Sequence, residues 1–280
     1  MVGTKKDVLK VSPYTDAFLL GVQDFSTNFA CYFTVAEISK LVNELPEKEI
    51  FVSVNKNMHE QDLEPLKKLL RKLNNLNIAG IYYYDPALVL LKQEGIIKHP
   101  LIWHQEHLTT NYATCNFWHQ AGVSGACLSG EITLKEILEI QKHVTMPLTV
   151  PVFGYLPMFV SRRNLVENYL KIFHLPKKGE HYQIRKEGYT YPIINDSMGT
   201  QVYSSHILNA YRELSILKEA RISYVLLNGF QIPSDIFLEV LKLYQSEDGN
   251  EEVESQISDL LNQNTDKGFL YKETIYRVKK

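Results

Sequence analysis

Eight apolar runs of strand length, separated by stretches with helical periodicity, constrain this 280-residue chain more than any other feature. The runs are AFLLGV (17–22), EIFVSV (49–54), IAGIYYY (78–84), PLIWH (100–104), GVSGACL (122–128), PLTVPVF (147–153), YPIIND (191–196) and ISYVLL (222–227). Between them, Val35, Ile38, Leu41, Val42 and Leu45 form one helical stripe, and Leu63, Leu66, Leu69, Leu70, Leu73 and Leu76 form another. Their spacing by threes and fours buries a single helix face. Thr133 with Glu136 makes a capping box for a helix through Ile140. Ile207, Ala210, Tyr211, Leu214 and Leu217 predict a further helix, and Ser234 is placed to cap the last one before the tail.

Strands apolar on both faces and alternating with helices imply parallel pairing, because each parallel neighbour needs a long crossover. Eight such units predict an α/β fold, a (β/α)8 TIM-barrel-like domain over residues 10–245, close to the usual size of about 250 residues. No Gly-x-Gly-x-x-Gly follows the first run, which argues against a dinucleotide fold. Residues 154–190 exceed a simple crossover and are expected to be an insert after strand 6, with a helix near 163–173 and a short strand at HYQIRK. Residues 246–280 read as a helix and an extended tail packing on the barrel.

Charge is nearly balanced, with 30 basic and 32 acidic side chains. It is unevenly placed: between 161 and 186, Arg162, Arg163, Lys171, Lys177, Lys178, Arg185 and Lys186 face only Glu167 and Glu180. That excess suits phosphates or a small polyanion. Cys31, Cys115 and Cys127 form no Cys-x-x-Cys, which fits a reducing cytoplasm better than a disulfide scaffold. No run reaches the roughly 18 apolar residues of a spanning helix, so neither signal peptide nor membrane anchor is expected.

Barrel ligands sit past the C-terminal ends of the strands. The candidates there are Gln23, Asp24, Asn55, Asn57, Asp85, His104, Gln105, Ser129, Glu131, Ser161, Arg162, Arg163, Asn195, Asp196 and Asn228. Paired arginines among amides and carboxylates suit a polar anionic ligand held by bidentate contacts. Catalytic residues are not identifiable. His104 and His107 in HQEH lack a third metal ligand, Ser161 lacks a nucleophile elbow and a base, and Cys127 reads as a buried strand residue, so no metal site is expected.

Three segments carry a family resemblance: Glu131 to Leu134; Gly154 with Ser161 and Arg163; and Asp196 with Gly199 and Thr200. Together they resemble the peptidase U32 family from about Ala17 to Lys280. The resemblance implies either peptidase activity, collagenase-like in some members, or a part in hydroxylation, including prephenate-dependent 5-hydroxylation of the wobble uridine of tRNA. Many members carry an iron-sulfur cluster on four cysteines; the two positions flanking the Ser-x-Arg segment are here Pro157 and Asn164. No cluster is therefore expected in this chain. Its short form is similar to the smaller of two paralogues that some bacteria pair for the wobble-uridine reaction. On that basis the expected partners are tRNA and a cluster-bearing paralogue, with prephenate as a required metabolite. His104, Gln105, Glu131, Ser161, Arg162, Arg163 and Asp196 are the candidate ligand-binding residues, and Lys171, Lys177, Lys178, Arg185 and Lys186 the candidate RNA contacts. A noncatalytic subunit that stabilises the paralogue is the other reading.

Overall fold

A computed structural model describes residues 1–246 and 248–272. The first strands follow the apolar runs closely: β1 (Ala17–Val22), β2 (Glu49–Val54), β3 (Gly80–Tyr83), β4 (Leu101–Trp103) and β5 (Gly125–Cys127). Each pairs in parallel with the next, and β5 pairs with β6 (Leu148–Ser161). The crossovers are α1 (Val35–Glu44), α2 (Leu63–Leu73), α3 (Ala87–Gln93), α4 (Tyr112–Gln120) and α5 (Leu134–His143). Complete capping boxes open α1, from Thr34 and Glu37, and α5, from Thr133 and Glu136. Leu66, Leu69, Leu70 and Leu73 are the buried stripe of α2.

Period-two alternation divides the strand residues between two layers. Phe18, Leu20, Val52, Val54, Ile81, Leu148 and Val150 join the large core shared with the helices. Leu19, Phe51, Tyr82, Ile102 and Cys127 form a second cluster inside the barrel. There the Tyr82 hydroxyl bonds Thr149 Oγ1 at 2.8 Å, and Phe51 meets Tyr82 and Tyr224 edge-on.

The sixth run continues well past its expected end. At Gly154, β6 leaves the barrel and runs to Ser161 as one arm of an antiparallel sheet. That sheet is completed by β7 (His181–Lys186), β8 (Tyr189–Asp196) and β9 (Gly199–Asn209), with α6 (Leu165–Ile172) between β6 and β7. YPIIND is therefore not a barrel strand: it lies in β8, hydrogen-bonded to β7 and β9. Ile207 belongs to β9, so the predicted helix shrinks to α7 (Leu214–Glu219). The last parallel strand, β10 (Tyr224–Leu227), pairs with the first half of β6. Seven parallel strands, β1 to β6 and β10, thus form the barrel-like body.

Among the described residues no ladder joins β10 to β1. Met1 lies beside β10 instead, its nitrogen donating to the Leu227 carbonyl at 2.7 Å and its carbonyl accepting from Gly229 at 3.0 Å. α8 (Ser234–Tyr244) follows β10, but Ser234 does not cap it, since its hydroxyl donates to Asp7 Oδ2 at 2.6 Å. α9 (Glu251–Leu260) packs on α8; residues 268–271 form a turn rather than the start of the expected extended tail, whose remainder, 273–280, lies outside the described residues.

Candidate functional site

The C-terminal mouth of the barrel opens into a cleft of about 290 Å³. Its walls combine strand ends, including Asn55, His104, Glu106, Glu131 and Asn228, with Tyr191, Ser204, Ser205 and His206 of the antiparallel insert. Asp266, Phe269 and Lys272, beyond α9, close one side. Phe29, Leu128, Phe153 and Leu226 supply apolar surface.

The most organised chemistry in the cleft is a carboxylate held by an amide. Asn28, in the loop after β1, is buried and adopts the left-handed conformation at φ 63°, a conformation Asn tolerates better than most residues. Its Nδ2 donates to both oxygens of Glu106, at 2.7 and 2.9 Å. Its backbone amide donates to Gln201 Oε1 at 2.9 Å, and the Tyr203 hydroxyl lies 3.3 Å from its Oδ1. The same loop is anchored by Asn55, which exchanges hydrogen bonds with the Thr27 backbone at 2.9 and 3.0 Å. Tyr203 is fixed in turn by stacking on Phe230 at 4.0 Å. Burial raises the pKa of Glu106, against the stabilising bond from Asn28.

His104 lines the same cleft just after β4, 8% exposed, its ring edge-on to Tyr82. Nδ1 is buried without a hydrogen-bond partner. Burial pulls the imidazole pKa down to about 4, so it is neutral at physiological pH. In the unfolded chain the same group titrates near 6.5, so between those values the unfolded state binds more protons and stability rises with pH. This contribution is complete above about pH 7 and lost towards pH 4, amounting to roughly 3 kcal/mol at most. Burial-raised Glu106 and Asp196 act with the opposite sign, but both remain in a His104→Asn protein. Urea denaturation of the two proteins at neutral pH and near pH 4.5 is expected to show the variant losing markedly less stability on acidification.

The sequence-selected residues divide between the cleft and the far end of the insert's sheet. His104 and Glu131 line the cleft, with Glu131 Oε1 3.1 Å from His107 Nδ1. Gln105 is structural, its Oε1 accepting from the amides of His107 at 3.1 Å and Leu108 at 2.8 Å. Ser161, Arg162, Arg163 and Asp196 meet at the far end of the insert's sheet, where β6 ends beside the β8–β9 turn. Ser161 Oγ accepts from the Arg163 amide at 3.2 Å, a turn-forming contact rather than a nucleophile's. Thr200 Oγ1 lies 2.8 Å from the Arg163 carbonyl, 2.7 Å from Asn195 Oδ1 and 2.9 Å from the Leu165 amide, tying β9 to the start of α6.

Arg162 reaches back to the barrel rim, donating to Asp62 Oδ2 at 2.8 Å and the Asn57 carbonyl at 3.2 Å. Burial acts to raise the Asp62 pKa, but the His59 amide, Lys56 and Arg162 together hold it below its ordinary value. Arg163 is exposed. Asp196 bonds the Met198 amide at 2.8 Å and contacts Gln201 Nε2 at 3.4 Å, so a chain of contacts runs from it through Gln201 and Asn28 to Glu106. Lys171, Lys177, Lys178, Arg185 and Lys186 are all exposed on the insert.

Two residues of the site, Asn28 and Glu106, escaped the sequence reading. Glu106 lies inside the HQEH segment, where the histidines drew the attention, and Asn28 acquires its place through Gln201, far away in sequence. The cysteines do not fit an iron-sulfur cluster. Clusters take about four thiolates, whereas Cys115 and Cys127 are buried in different layers and Cys31 lies near Val2. Among the described residues no group of three or more His, Cys, Asp or Glu side chains is arranged to hold a metal ion, and no helix is long and apolar enough to cross a membrane.

Comparison with known proteins adds the following. A family model described as "Peptidase family U32" matches residues 9–279. The "tRNA hydroxylation protein P2" of Bacillus subtilis (strain 168) is 28% identical over 285 residues, covering 93% of this chain and 92% of that protein. The "tRNA hydroxylation protein P1" of the same strain is 24% identical over 159 residues, covering 55% of this chain but 37% of that protein. Among solved structures, a 3-hexulose-6-phosphate synthase aligns at TM-score 0.43 and 9% identity over 91% of each chain. The barrel-like assignment rests on the strand order above, not on that likeness.

Proposed function

The chain belongs to peptidase family U32, and from that premise we propose that it acts in tRNA modification, as a hydroxylation subunit comparable to P2. The observation that carries this reading is the end-to-end similarity to P2, which leaves little of either chain unmatched. The reaction we assign is 5-hydroxylation of the wobble uridine with prephenate required. Because the cysteines here do not fit a cluster, the redox chemistry falls to a cluster-bearing paralogue. This chain's share is to bind and position. The barrel mouth receives a ligand, the Asn28–Glu106 pair and His104 orient it, and the insert brings exposed cations to the RNA backbone. Arg163 is the arginine of the pair exposed to an anion, while Arg162 holds the insert to the rim through Asp62. This role places the chain in the cytoplasm with the tRNA pool.

No observation favours peptide hydrolysis. Ser161 is engaged in its turn, and although Ser205 Oγ lies 3.0 Å from His206 Nδ1, no carboxylate orients that imidazole among the described residues. The test is nucleoside mass spectrometry of tRNA from cells lacking this chain. Loss of 5-hydroxyuridine and its derivatives is expected, and an unchanged profile overturns the reading.

A further inference from the structure

Among the described residues that line the mouth there are three side-chain carboxylates, Glu106, Glu131 and Asp266, against one side-chain ammonium, Lys272, while the Met1 amine is engaged with the Leu227 carbonyl. That ammonium is 63% exposed and 3.4 Å from Asp266, so it is already shared and screened. Neither arginine of the Ser161–Arg163 turn lines the cleft, and Arg162 is spent on Asp62. A ligand with two carboxylates would bring like charge into a partly apolar cleft and find, among the described residues, no bidentate cation to receive it. The polar atoms present suit a different ligand. Glu106 faces the cleft with its carboxylate already oriented by Asn28, and accepts no charged donor among the described residues. His104 lines the cleft with a neutral imidazole; its Nδ1 is buried out of a ligand's reach, which leaves Nε2 as the nitrogen that can meet one. Phe29, Leu128, Phe153 and Leu226 provide apolar surface around these groups, and about 290 Å³ is ample for a small ring system.

We propose that this mouth is a pocket for a single uncharged, planar, hydrogen-bonding ring, a nucleobase turned out of its strand, and that the anionic metabolite is held elsewhere. The inference rests on the reading of the chain as a tRNA-modification subunit and specifies what that subunit's cleft takes. Glu106 reads a ring N–H and His104 meets a further edge atom. The apolar walls cover the faces, which offsets the few kcal/mol of unstacking that extrusion costs. The metabolite's carboxylates then belong to another surface, either on the paralogue or where the two chains meet.

Titration of the purified full-length chain, followed by saturation-transfer NMR, separates the two ligand classes with uridine as the neutral probe and benzylmalonate as the dianionic one. Saturable uridine binding with no benzylmalonate signal is expected. Glu106→Ala should weaken uridine by about tenfold or more, while the near-isosteric Glu106→Gln, keeping one acceptor oxygen, falls between; a thermal melt of each confirms folding. Saturable benzylmalonate binding, uridine binding indifferent to Glu106, or no uridine binding overturns the proposal. The titration contains no tRNA, so its failure is distinct from that of the tRNA reading. Uridine capture beside unchanged cellular 5-hydroxyuridine sinks the tRNA role, whereas lost 5-hydroxyuridine without uridine capture sinks the pocket assignment alone.

Discussion

Gly154→Ala is expected to lower stability by on the order of 3 kcal/mol and the melting temperature by roughly 10 °C. Gly154 is the residue at which β6 changes partners: up to Phe153 it lies in the parallel ladder with β10, and from there onward it pairs with β9. Its φ of 112° lies where a side chain is strained, and a Cβ would stand 2.4 Å from the Asn228 carbonyl oxygen. That oxygen cannot retreat easily, because the Asn228 amide is bonded to the Phe153 carbonyl at 2.9 Å. Either the strand pairing or the switch must give, and both position the insert over the mouth. Gly122→Ala is the control: its φ is also positive, at 90°, but a Cβ there meets nothing within 4 Å. It should cost only the conformational part, about 1 kcal/mol. Differential scanning calorimetry of the two variants checks the contrast, and equal shifts would mean that the Asn228 contact is not the cause.

The second large effect is expected on RNA affinity. Replacing Lys171, Lys177, Lys178, Arg185 and Lys186 together by glutamate should weaken tRNA binding at least about a hundredfold and reduce the magnitude of the slope of log affinity against log salt by about 4. All five side chains are exposed on the insert, so the fold does not depend on them. Among the described residues, the ion pairs these side chains make are to acidic neighbours on the insert itself, Lys171 to Glu167 at 3.5 Å and Lys186 to Glu187 at 4.0 Å. Exposed Tyr169 and Phe173, 4.6 Å apart on the same element, add surface on which unstacked bases can lie. Filter binding across a salt series measures both quantities. An unchanged slope would assign tRNA contact to a different face.

Much of the barrel was legible because a parallel strand buried on both faces is an apolar run with sharp ends, and β1 and β2 begin and end where their runs do. YPIIND looks the same locally, yet it pairs in a hairpin whose turn, at Ser197 and Met198, is set by Asp196 and Gly199. Nothing in that six-residue run distinguishes an antiparallel strand covered by its neighbours from a barrel strand. Strand-end position alone selected His104 and Glu131, which line the cleft, as do Asn55 and Asn228. It also selected Gln105, whose side chain turns back onto its own loop, and Arg162, whose length lets it leave the mouth for Asp62. Asn28 and Glu106 were beyond reach because their pairing depends on a left-handed loop residue held by Gln201 from the other end of the chain. The Ser161–Arg163 and Asp196–Thr200 segments were recognised as motifs, and the structure gives them a mechanical role: they meet at the far end of the insert's sheet, from which Arg162 ties the insert back to the barrel rim through Asp62.

The most direct test of the account is the 5-hydroxyuridine content of tRNA in a strain lacking this chain, complemented with the wild type or with Glu106→Ala. Wild-type complementation is expected to restore the modified nucleoside, and Glu106→Ala, expressed to the same level and folded, is expected to leave it close to the deletion strain's. Full restoration by Glu106→Ala would contradict the assignment of the mouth, and a deletion strain with normal 5-hydroxyuridine would contradict the tRNA-modification role itself.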